Sequence, residues 1–89
     1  MDSTAAEIIA LQALGFIATD EKAFSGLMAS TGIDVDSLKN AGSDPTILVG
    51  VLDFLLQNED RLMAFCDEQS LDPTQPGRAW STLPGMNMG

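Results

Sequence analysis

Three features of this 89-residue chain have residue types and spacing that could do chemistry: Cys66, Ser37, and the pair Asp34-x-Asp36. A nucleophilic thiol or hydroxyl needs a base to take its proton, usually histidine, and the chain has no histidine and no tyrosine. Cys66, between Phe65 and Asp67 in a helical pattern, reads as a small buried filler, and as a lone cysteine it has no internal disulfide partner. The following pair Asp67-Glu68 reads as a solvated helix face. Ser30-Thr31 has no base beside it. Asp34-x-Asp36 begins like a calcium loop, but neither the glycine nor the distal glutamate of such a loop follows at the required spacing. There is no glycine-rich phosphate loop and no histidine-bearing metal cluster. The expectation is therefore no catalytic residue, no bound cofactor, no metal, and no enzyme activity.

These side chains must be held by helices. Nothing alternates with period two for long enough to make a strand, whereas helix start and stop signals recur along the chain. Ser3 or Thr4 opens a segment to about Ala18, with Thr4 and Glu7 spaced as a capping box. Thr19 or Asp20 starts a second, stopped by Gly32, and Asp34 starts a short one ending at Gly42. Asp44 and Pro45 supply a cap and first residue for a fourth, reaching about Gln57. Asn58 opens a fifth to about Gln69, and a last helix runs from near Pro76 to Leu83. Trp80 is expected to dock that last helix on the core, with Met28 and Met63 as core fillers. Residues 1–83 thus read as one helical domain and 84–89 as a flexible C-terminal tail.

Thirteen acidic residues against four basic ones give a net charge of −9. Most of the acid falls at predicted helix starts, where carboxylates meet free N–H groups and the positive end of the helix dipole. Such a surface repels phosphate backbones, so nucleic acid is not an expected partner. The apolar stretch Ala5–Ala18 is broken by Glu7 and Gln12 and is too short to span a bilayer, and no basic residue precedes Lys22 as a signal peptide requires. With a free cysteine, these features point to the cytoplasm.

An internal self-match organises the helices. An offset of 38 residues carries Ile9 onto Ile47, Leu14 onto Leu52, Phe16 onto Phe54, Glu21 onto Glu59 and Asp34 onto Asp72 without a gap. Periods of this size are typical of helical repeats. The expected fold is all-α: a compact bundle of five to six helices built from two tandem units, about residues 4–41 and 42–79, with Leu14 and Leu52 as equivalent core positions. The first and fourth segments carry apolar residues on every face, as buried helices do, and are expected to form a central pair. Gly15 and Gly50 are expected to serve close helix approach.

Two resemblances bear on function. The string Asp36-Ser37-Leu38, in a small acidic helical chain, resembles acyl carrier proteins, in which the serine receives phosphopantetheine. It departs from that family where Asn40-Ala41-Gly42-Ser43-Asp44-Pro45 ends the segment within two turns, whereas the carrier serine opens a long helix. The arrangement Ala5-Ala6-Glu7-Ile8-Ile9-Ala10-Leu11-Gln12-Ala13-Leu14, then Thr31-Gly32-Ile33-Asp34, then Val51-Leu52-Asp53-Phe54-Leu55 resembles a family of short alphaproteobacterial proteins of unknown function. That resemblance covers about residues 4–80, implies an all-helical domain, and supplies no activity or site. The expected role is a non-catalytic helical adaptor that binds a protein partner or a second copy of itself, with a carrier protein modified at Ser37 as the alternative.

Overall fold

Four of the described helices begin where a short polar side chain accepts hydrogen bonds from the backbone just ahead of it. In the structure, a computed structural model that describes residues 1–34, 36 and 44–83, Asp2 accepts from the Ala5 N–H at 2.8 Å and Asp20 from those of Lys22 and Ala23 at 3.0 and 3.3 Å. Asp44 accepts from Thr46 at 3.0 Å and Asn58 from Arg61 at 3.0 Å. The helices that follow are α1 (Ser3–Ala18), α2 (Glu21–Thr31), α3 (Pro45–Leu56), α4 (Glu59–Gln69) and α5 (Gln75–Thr82), and there is no strand among the described residues. Asp2 caps α1, rather than the predicted Ser3 or Thr4, because both of those already lie inside the helix. The predicted short helix ending at Gly42, with Ser37, and the tail 84–89 lie outside the described residues.

Before α5 the bonding is reciprocal. The Asp72 carboxylate accepts from the Thr74 N–H at 2.9 Å and its hydroxyl at 2.7 Å, while Gln75 Oε1 accepts from the Asp72 N–H at 2.9 Å. These bonds lock the turn ahead of α5, whose own N-cap residue, Thr74, makes no side-chain cap bond. They let α5 begin at Gln75, just before the predicted Pro76, because a proline in the first turn lacks only an N–H that has no intrahelical partner there.

Two helices end on left-handed residues, Gly32 (φ 71°) after α2 and Ser70 (φ 57°) after α4. The αL turn lets the Gly32 N–H donate to the Met28 carbonyl at 2.9 Å and the Leu71 N–H to that of Cys66 at 2.8 Å.

The core forms around α3, which packs against α1, α2, α4 and α5. Ile47, Leu48, Val49, Val51, Leu52, Phe54 and Leu55 are all buried, as expected for a helix apolar on every face. Helix α1 packs against α3, as expected of a central pair, but it is buried on one face and not all round. Helices α2, α3 and α5 cover it from one side. Its buried face is the small one, Ala6, Ala10 and Ala13 with Ile9 and Ile17. Ile8 is 52 % exposed and Leu11 42 %. Leu14, expected in the core, is only half-buried beside it, whereas Leu52 is fully buried.

The close approaches also differ from expectation. A Cβ on Gly15 would meet nothing within 4 Å, and one on Gly50 would make an ordinary contact of 3.4 Å with Thr31. The glycine that sequence reading passed over, Gly26, is the tight one: a Cβ there would lie 3.2 Å from the Phe54 ring. Phe16 and Phe65 complete this side of the core, their rings edge to face at 5.5 Å. The radius of gyration, 11.8 Å, is close to the roughly 12 Å of a folded chain this long.

Candidate functional site

The residues singled out for possible chemistry are scattered. Cys66 is buried on α4, and its thiol faces the Asp72 carbonyl oxygen at 3.8 Å. Burial pushes its pKa up, and the negative charge of Asp72 pushes it further, so the thiol is held protonated at neutral pH. Asp67 and Glu68 are exposed on the same helix, as a solvated face requires. Asp34 and Asp36 are exposed, and no group of three or more His, Cys, Asp or Glu converges among the described residues. Trp80 is half-buried against the core, consistent with docking α5. Met28 is half-buried, but Met63, expected as a core filler, is 48 % exposed because α4 turns Phe65 and Cys66 inward instead.

Where the α1–α2 turn meets the start of α4, the chain encloses a half-open cleft of about 420 Å³. Phe16, Ile17, Ala23 and Ala64 form its apolar lining. Its polar groups are largely committed to local structure. Asp20 and Asn58 cap α2 and α4, and the Thr19 hydroxyl donates to the Phe16 carbonyl at 2.7 Å. The Arg61 guanidinium lies over the Phe54 ring, 4.7 Å from its centroid. Asp60 also lines the cleft.

The outer face of α1 has a different character. At 100° per residue, Thr4, Ile8, Leu11, Gly15 and Ala18 fall on one arc of the helix, opposite the buried alanines. All five are exposed. Met1, just ahead of the helix, is 47 % exposed. The two large aliphatic side chains midway along α1 thus stand in water while three alanines occupy its interior. The pattern was available in the sequence, since the alanine stripe and the Ile8–Leu11 stripe lie on opposite sides. Only the position of the neighbouring helices decides which side faces in.

No helix among the described residues is long and apolar enough to cross a membrane. No curated protein and no solved structure matches the chain significantly. The profile of one family spans residues 3–86, from the start of α1 past the end of α5, so the capped helices, the cleft and the outer face of α1 all fall within the matched region. The chain belongs to that family, described as Protein of unknown function (DUF3572).

Proposed function

We propose that this protein is a non-catalytic helical interaction module that docks a protein partner on the outer face of α1. The observation that carries the reading is the exposure of Ile8 and Leu11 on one helical face, 52 % and 42 %. Large aliphatic groups kept contiguous on a surface mark interaction sites more often than isolated ones do. Support for a non-catalytic role comes from the cleft, whose cap residues are engaged in holding helix starts. The net charge of −9 weighs against nucleic acid.

Two further readings accompany this one. The chain is two related helical units: α2 and α4 have the same length, and the 38-residue offset carries their bounds, the ends of α1 and α3, and the left-handed caps Gly32 and Ser70 onto one another. It works in the cytoplasm of alphaproteobacteria, a placement supported by the family resemblance and the free thiol. The carrier alternative rests on Asp36-Ser37-Leu38 alone, and the intact mass of protein from its native host tests it.

The docking face is tested by placing a photo-crosslinking amino acid at Ile8 or Leu11 and, as a control, at exposed Glu68 on α4. Irradiation in native cells should give discrete protein adducts from the α1 positions only. Equal adducts from Glu68, or none from α1, would remove the assignment.

A further inference from the structure

We infer that the partner taken by α1 is a basic amphipathic helix of another protein and not a second copy of this chain; the inference rests on the docking reading above. Charge placement is the first ground. Along the sequence the apolar arc is bracketed by acid, with Asp2 and Glu7 at its start and Asp20, whose carboxylate caps α2 beside the cleft, and Glu21 just past its end. No basic side chain lies on α1. Lys22, at the far end, is outnumbered there, and exposed Arg78 on α5 and half-buried Arg61 on α4 are the other cations on the described helices that touch α1. A second copy brings acid against acid whether the two α1 helices run parallel or antiparallel, on surfaces already carrying −9 each. A helix with lysine or arginine at both ends and an apolar middle is complementary in either direction.

Gly15 is the second ground. In a helix interior glycine is destabilising relative to alanine. Nothing inside the protein asks for it, because a Cβ there meets open space. It sits on the exposed arc between Leu11 and Ala18, so Gly15 and Ala18 leave a shallow gap beside two large side chains. A helix laid across that gap brings its backbone close, with Ile8 and Leu11 packing between its ridges. Helix α1, 16 residues, offers about 24 Å for this.

The test uses the whole protein and a panel of fluorescent amphipathic helical peptides about 18 residues long, ~27 Å of helix, with lysine-bracketed apolar stripes. The same stripes bracketed by glutamate are the controls. Fluorescence anisotropy reads binding, and sedimentation reads the oligomeric state. Lysine peptides should bind, more weakly as salt rises, and Ile8→Glu or Leu11→Glu should weaken them on the order of tenfold or more. Gly15→Gln should also weaken binding while raising the melting temperature, an outcome that unfolding does not produce. Glutamate peptides binding as tightly as lysine ones would overturn the basic partner and leave the docking face standing. So would a dimer that Leu11→Glu dissolves, in favour of a second copy. A monomer that binds no peptide overturns both readings.

Discussion

Ser70 is the one residue other than glycine found at positive φ among the described residues. An L side chain in the left-handed region costs roughly 1–2 kcal/mol, which glycine avoids. Ser70→Gly should therefore stabilise the domain by about 1 kcal/mol, raising its melting temperature by about 4–8 °C. An unchanged or lower melting temperature would show that the Ser70 conformation is not strained. Asp72 carries a pH dependence. The Thr74 N–H, then the Thr74 hydroxyl, bond its ionised form and hold its pKa below the ordinary carboxylate range, with exposed Arg78 adding to this. A depressed folded-state pKa contributes stability that is present above the ordinary carboxylate pKa and lost as pH falls through the lowered one. Asp72→Asn keeps an acceptor and loses the charge, so wild type should melt higher than the variant at neutral pH and the gap should close as pH falls through the lowered pKa. A gap that persists in acid would mean the charge is not what Thr74 recognises.

Helices α1 and α3 look alike in composition and differ in role. Leu52 on α3 is fully buried, and truncation to alanine should cost about 2–5 kcal/mol, the usual range for a core leucine. Leu14, at the matching place on α1, is half-buried and borders solvent. Leu14→Ala should cost less than half as much, because part of its surface is already in water and no closed cavity forms. Urea denaturation of both variants reads the difference directly. Equal losses would place Leu14 in the core after all and remove the one-sided packing of α1.

At the scale of the molecule, a surface carrying −9 on 89 residues repels itself. Folding brings these charges closer together, and added salt screens them, the Debye length falling from about 30 Å at 0.01 M to about 3 Å at 1 M. Raising potassium chloride across that range should raise the melting temperature. A melting temperature that falls would mean attractive pairs outweigh the repulsion. The same repulsion tells against self-association and in favour of a basic partner.

Much of this architecture could be read from local signals, since a helix cap needs only a polar side chain and an N–H two or three residues away. Asp20, Asp44 and Asn58 start their helices where the sequence placed them, and Gly32 stops α2 for the conformational reason glycine usually does. The shifts at Asp2 and Gln75 are of one or a few residues, because neighbouring polar groups compete for the same N–H groups. Composition also marked α3 as a buried helix. It could not say the same truthfully of α1, nor separate Leu14 from Leu52, nor pick out Gly26 ahead of Gly15. Those outcomes depend on which neighbours a helix acquires: a bundle this small can cover most faces of one helix, and α3, packed against the four others, holds that place. The side of α1 turned to water is set by the helices that cover the other side, a relation between segments distant in the chain.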